Sequence, residues 1–468
     1  MGGLESKCII VTATTQLKVS LAPTVVRCLY VIGLTNGDSN GNSHGNPNTS
    51  DLQIPDPPRP YSLATRGVHA DDEMHDSTDV APALHVSSTF RYPSDPDQLK
   101  PVDDLDIPSR EPGARIAGDA HIYSRLTAPN SSRLELLLTS LIGAPCLTYS
   151  SGLAAFHALL VYLHPKVVAI GAGYHGCHGV LQIYQKLTHC KIVDLFDEKT
   201  WESEGEGWKL GEGDVVHLET PVNPTGRASN IQHFADLAHA RGAVLTIDAT
   251  FAPPPLQDPF KWGADYVMHS GTKYIGGHSD MLCGVIAIGK RWEGWEKDYW
   301  TMFGERLHLG SVMGSMEGWL GVRSLRTFDL RVTRQSQNAD KIVAFLDGCL
   351  NGPEDEGEDA KAVQAVLAKI EHASLQKEDM GWLRKQMPNG FGPVFSISFK
   401  TAGQARRFPS KLGLFHHATS LESLIEWRKM SDDTVEPELC RVSVGVEAWE
   451  DLRDDLVGGF KALAAEAS

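Results

Sequence analysis

The sequence predicts an α/β fold: a large domain on a mostly parallel sheet, then a smaller C-terminal α+β domain. Two observations predict it. From about residue 130, short β-branched runs alternate with stretches of helical spacing, and beyond Arg323 that alternation gives way to long helical stretches and isolated strands. The size agrees, since 468 residues with 41% hydrophobic and 22% charged content can bury a large core divided between domains.

In chain order, residues 1–60 form an extension unlike the rest. Cys8 to Leu34 is apolar, but Lys18 and Arg27 interrupt it, leaving no run long enough for a membrane helix. A secretory leader would need a basic start and a cleavage site, and neither is present. "MGGLES" fits the loose myristoylation pattern through Gly2 and Ser6. The Asn-, Gly-, Ser- and Pro-rich stretch that follows reads as a disordered linker, so the folded body is expected from Tyr61.

"KVVAI", "KIVDLF", "DVVHLE", "AVLTID" and "ADYVMHS" read as buried strands, and "NIQHFADLAHARGA" as one of the helices between them. Ligands of such sheets bind beyond the carboxyl ends of the strands. Tyr174, Glu219, Asp248 and Ser270 all fall at or just past such ends, so one cleft could collect them. "GAGYHG", Gly171 to Gly176, also matches the dinucleotide fingerprint, with Asp194 placed to meet a ribose hydroxyl. Its strand is not the first of the series, which weighs against that reading. Past Arg323, "NADKIVAFLDGCL" reads as helix, the acidic "GPEDEGEDAK" as a solvated loop, "GPVFSISF" and "CRVSVGVE" as strands, and the chain from Trp449 as a final helix.

A net charge of −16 disfavours nucleic acid or anionic membrane as partners, so a phosphate must be held by local groups. The eight cysteines include no CxxC pair, which suggests a reducing compartment, cytoplasm by default. His175, Cys177 and His178 cluster in sequence, but further ligands cannot be identified, so no metal site is expected.

"HSGTKYIGGHSDMLCG", His269 to Gly284, sets one lysine among hydroxyls and glycines. Ser270, Thr272 and Ser279 offer donors, while Gly271, Gly276 and Gly277 permit close backbone approach. The nucleoside-triphosphate loop is excluded because its glycine-rich turn precedes the lysine. Pyridoxal phosphate, an aldehyde that condenses with a lysine amine and carries a phosphate, fits both features.

"SGTKYIGGHSD" resembles the cofactor-lysine motif of the trans-sulfuration enzymes of cysteine and methionine metabolism, the cystathionine γ-synthases, γ-lyases and β-lyases. "TRGVHAD" with "APALHVSSTF", "YSRLTAPNSSRLE", "SSGLAAF", "ETPVNPTG", "IDATFAPP" and "CRVSVGVE" follow in the family's order. The resemblance implies the fold type I architecture of pyridoxal-phosphate enzymes, with an arm at residues 61–122 serving the neighbouring subunit, a cofactor domain at 123–322 and a C-terminal domain at 323–468.

It also implies roles. Lys273 would bind the cofactor covalently and move protons. Asp248 would pair with the pyridinium nitrogen, and Tyr174 would stack on the ring and assist proton transfer. Ser151, Gly152 and Leu153, opening a helix, would receive the phosphate with Ser270 and Thr272. Tyr123 and Arg125 would reach the same phosphate from a neighbouring subunit, within a homotetramer whose active sites are shared. Arg441 would grip the substrate α-carboxylate, with Asn223 beside it.

The sequence departs from the family where a segment like "SLGGxESL" is expected. Here "HHATSLESLIEWR" puts Thr419 where γ-acting enzymes often carry glutamate, next to Ser420, and lacks the glycine pair between Leu421 and Glu422. Ala249 also stands where asparagine is frequent. A threonine cannot carry the charge that supports γ-chemistry, so the expected activity is carbon–sulfur β-elimination on an amino acid such as cystathionine. The alternatives are γ-replacement or γ-elimination, and a cofactor-binding partner protein that has lost turnover.

Overall fold

A computed structural model describes residues 61–75, 77–99, 121–202, 208–352, 357–417 and 422–466. The N-terminal extension, Thr419 and Ser420 lie outside the described residues. The larger sheet has seven strands: β1 (Cys146–Tyr149), β2 (Val167–Ile170), β3 (Lys191–Asp194), β4 (Val215–Glu219), β5 (Val244–Asp248), β6 (Tyr266–Ser270) and β7 (Gly284–Ile288). Their spatial order is β1-β7-β6-β5-β4-β2-β3. The pairs from β6 across to β3 are parallel, and β7 runs antiparallel to both β6 and β1.

Helices cover both faces, which makes these strands apolar throughout rather than alternating. On β2, Val167 and Ala169 enter one core cluster while Val168 and Ile170 enter the other. β3, expected to be buried, is instead an edge strand with Lys191 and Asp194 exposed. Charged residues at both ends of "KIVD" suit an edge, where they discourage pairing with another chain.

The smaller sheet is antiparallel, ordered β10-β11-β9-β8, with β8 (Leu367–Glu371), β9 (Val394–Phe399), β10 (Leu424–Trp427) and β11 (Leu439–Ser443). The final helix, Trp449–Glu466, packs on its apolar face. Helix Phe328–Asn351 joins the two bodies: Phe328 and Val332 lie in a large-domain core, and Ala339, Ile342 and Leu346 in the small-domain core. The acidic run read as a loop is corrected over its second half, because Gly357–Val366 is helical. Glu358 and Asp359 occupy its first turn, where negative charge favours a helix.

Candidate active site

A cavity of about 250 Å³ opens where β4, β5 and β6 end, lined by Lys273, Asp248, Tyr174, Glu219, Asn223 and Arg441 among others. Each lining group arrives there for a local reason. Lys273 follows β6 in a tight turn, its N–H donating to the Ser270 carbonyl at 3.1 Å. Burial, and after it the positive charge of Arg441, holds its amine below the ordinary lysine range. Asp248 ends β5 and is buried; Oδ1 accepts both the Thr250 N–H at 2.9 Å and the Thr250 hydroxyl at 2.6 Å. Burial raises its pKa despite these bonds. A carboxylate so placed fits a cation, and a protonated pyridine nitrogen brings one.

Gly152 opens the helix Gly152–Leu163, whose first-turn N–H groups have no acceptor within the helix. The Ser151 hydroxyl is engaged in capping, accepting the Ala154 N–H at 3.1 Å. A Cβ on Gly152 would lie 3.1 Å from Ser270 Cβ, so glycine keeps this helix start and the β6 end in contact. Ser151, Gly152, Leu153, Ser270 and Thr272 all line the cavity, forming a cradle suited to a phosphate.

The glycines that flank Lys273 have a different purpose from the one expected. A Cβ on Gly271 would strike Cys283, one on Gly276 would strike Met281, and one on Gly277 would strike the Arg331 guanidinium. They let the lysine loop pack against its own protein, and Ser279 is not among the cavity-lining residues. The glycines of "GAGYHG" likewise face the protein itself. They make room for the Phe196 ring, the Glu219 carboxylate and the Tyr174 ring, while Asp194 Oδ1 accepts the Phe196 N–H at 2.9 Å. The loop serves Tyr174 and Glu219, not a dinucleotide.

Glu219 carries no role in the sequence reading beyond its place at a strand end, yet it organises the site. Oε2 accepts the Tyr174 N–H and Oε1 the Asn223 N–H, each at 2.7 Å. Burial first, then the nearby Asp248, pushes its pKa up to about 8. His217, Cys177 and Asp248 place ligand-type atoms within 4.8 Å of one another. Burial pushes the Cys177 thiol well above its ordinary range and the His217 imidazole down to about 3, so the set offers one carboxylate and two neutral groups. The His217 Nδ1 is engaged with the Thr246 hydroxyl at 2.8 Å.

Arg441 Nη1 donates to Asn223 Oδ1 at 3.3 Å, and Nη2 lies 2.7 Å from Glu426 Oε2. Glu426, Thr250 and Arg428 were missed by sequence reasoning; a glutamate inside the apolar strand "LIEW" is the signal that could have found the first. Tyr123 and Arg125 do not line their own chain's cavity. Tyr123 is 39% exposed, Arg125 stacks over its ring with 5.1 Å to the centroid, and Nη1 donates to the Leu307 carbonyl at 3.4 Å.

Residues 64–461 match the model of the Cys/Met metabolism PLP-dependent enzyme family. The chain belongs to that family. It is 32% identical to the cystathionine β-lyase of Lactococcus lactis subsp. cremoris over 352 residues, covering 71% of this chain and 87% of the relative. With the cystathionine γ-synthase of Escherichia coli K12 it shares 30% identity over 425 residues, 86% of this chain and 97% of the relative. The solved apo CalE6, a methionine γ-lyase from Micromonospora echinospora, superposes with a TM-score of 0.70 at 27% identity, over 86% of this chain and 99% of that one. Pyridoxal phosphate is the family's cofactor, and the lysine, the buried aspartate and the helix-start cradle fit it. Among the described residues, no helix is long and apolar enough to cross a membrane.

Proposed function

We propose that this enzyme cleaves the Cβ–S bond of a sulfur-bearing L-amino acid such as cystathionine, releasing a thiol. The observation that carries the reading is the proton inventory of the cavity. Both oxygens of Glu219 are taken by backbone N–H groups, and Asp248 is held by Thr250. In this reading Lys273 and Tyr174 move the substrate's protons, while Glu219, held by two backbone N–H groups, serves the scaffold. Thr419, in place of a glutamate, supports β- over γ-chemistry.

The cofactor, when bound, supplies the electron sink that makes the Cα proton acidic. Arg441 and Asn223 hold the substrate carboxylate, which aims the Cα–H bond at Lys273. Burial holds the Lys273 amine below the ordinary lysine range, which favours its neutral, basic form, and it takes the Cα proton. The electrons of that bond form Cα=Cβ as the C–S bond breaks, and sulfur leaves with its electron pair. Tyr174, whose phenol burial keeps protonated, can give the leaving thiolate its proton. The enamine then hydrolyses to a keto acid and ammonia.

Tyr123 and Arg125, outside their own cavity, complete the phosphate cradle of a neighbouring subunit in this reading, within a cytoplasmic homotetramer. The exposed arm residues Val80 and Val86 support such a covered surface. The test is the product formed by cofactor-loaded protein from L-cystathionine. Pyruvate is expected; 2-oxobutyrate or a new thioether would overturn β-elimination in favour of γ-chemistry, and a retained cofactor spectrum with no product from any amino acid would favour the non-catalytic reading.

A further inference from the structure

Arg441 and Glu426 are direct cross-strand partners on β11 and β10. On these strands Cys440, Val442 and Ile425 face the small-domain core, so alternation turns Arg441 and Glu426 to the opposite face, toward the large domain. The carboxylate does more than meet one cation. Glu426 lies 2.7 Å from Arg441 Nη2 and 3.3 Å from Arg428 Nη1, and Oε1 accepts the Ser431 hydroxyl at 2.5 Å. Arg428 is buried, and its Nη2 reaches Asp432 at 3.5 Å and His175 Nδ1 at 3.2 Å.

Arg441 lines the cavity and Glu426 is not among its lining residues. The carboxylate therefore grips the guanidinium from behind while the Nη1 edge faces Asn223 and the cavity. A guanidinium has five donors in a fixed plane, so fixing one edge fixes where the other points. A lone glutamate would also cancel the charge that a substrate carboxylate needs. Here Arg428 and the Ser431 hydroxyl share that glutamate, which leaves Arg441 part of its charge.

We propose that Glu426 is a positioning residue for Arg441, and that Arg428 offsets its charge so that Arg441 keeps its attraction for the substrate carboxylate. The inference rests on the assignment of Arg441 as the carboxylate anchor. It makes Glu426 and Arg428 determinants of selectivity for α-amino acids over amines that lack the carboxylate. The competing arrangement is a Glu426 that acts as an internal rival to the substrate, displaced from Arg441 on binding.

The experiment compares cofactor-loaded wild type with Glu426→Ala, Glu426→Gln and Arg428→Met. Binding of L-methionine and of 3-(methylthio)propylamine, which differ by the carboxylate, is measured by calorimetry, alongside KM and kcat for L-cystathionine. Positioning predicts about tenfold weaker L-methionine binding and a correspondingly raised KM in Glu426→Ala, the size of one charge-assisted bond, with kcat nearly constant and amine binding unchanged. Glu426→Gln, which keeps an acceptor, should recover part of the loss, and Arg428→Met should also weaken L-methionine. Tighter L-methionine binding in Glu426→Gln would overturn the proposal in favour of a rival carboxylate, and unchanged selectivity would overturn it outright. Because binding is read separately, a wild type that binds L-methionine but releases no keto acid from L-cystathionine would refute the lyase assignment while still testing this one.

Discussion

The Glu219 carboxylate accepts the Tyr174 backbone N–H at 2.7 Å, which fixes Tyr174 to the end of β4. That bond lies in a fully buried setting, and the pKa of Glu219 is raised from its ordinary 4.5 to about 8. Between those values the folded protein binds a proton that the unfolded chain has released. Stability must therefore fall as pH rises from 4.5 to about 8 and level off above it. One such group contributes at most about 1.4 kcal/mol per pH unit. Asp248 is displaced in the same direction, so Glu219→Gln should remove part of the slope, measured as denaturant midpoints of cofactor-free protein across this range. A slope equal to wild type would show that Glu219 is ionised in the folded state.

Lys273→Ala should abolish turnover, a loss of at least about 10³-fold, because no other lining amine can take the Cα proton. The fold should survive, since the amine makes no hydrogen bond that the packing of its loop requires; the loop is held by backbone bonds such as Gly276 N–H to the Gly271 carbonyl at 2.7 Å. Circular dichroism checks the fold and keto-acid release the activity. Residual activity near wild type would remove Lys273 from the mechanism.

Asp248→Asn isolates charge from shape. The amide oxygen can still accept from Thr250, so the β5 end should hold, but the negative partner for the pyridinium is gone. Cofactor affinity should fall by more than tenfold, about 1.4 kcal/mol or more, and turnover should fall further than affinity because the electron sink weakens. Thr250→Val should give a smaller loss of the same kind. Equal affinity in wild type and Asp248→Asn would mean that the aspartate serves only the strand end.

These experiments probe a site that was partly legible in the sequence. The parallel strands announced themselves as β-branched runs, and Lys273, Asp248, Tyr174, Asn223, Arg441 and the Ser151–Leu153 helix start do converge on one cavity. What escaped was long-range pairing. The glycines around Lys273 and Tyr174 looked like ligand contacts, because a sequence does not show that Arg331, Cys283, Phe196 and Glu219 arrive from elsewhere to fill the space. β3 looked buried because Ile192 and Val193 are β-branched, whereas its flanking charges mark an edge. Glu426 was invisible as a site residue until the register of β10 on β11 set it opposite Arg441.

The cradle itself can be tested from behind, through a residue that touches neither cofactor nor substrate. Gly284 begins β7, antiparallel to β1 and β6, and its Cα lies against the start of helix Gly152–Leu163. A Cβ there would collide with the Ser151 carbonyl and come within 2.8 Å of Ala155 Cβ. The strand is buried on both sides and cannot yield, so Gly284→Ala must push the helix start outward or strain β7. Overpacking of this kind costs about 1–3 kcal/mol. The displacement falls on the N–H groups that would receive the phosphate, so cofactor affinity should drop beyond what the loss of stability alone explains. Gly179→Ala, exposed to open space on helix His175–Thr188, is the control and should leave cofactor binding unchanged. Measured by cofactor titration and thermal unfolding, a Gly284→Ala variant that unfolds earlier yet binds as tightly would place the phosphate away from Ser151–Leu153.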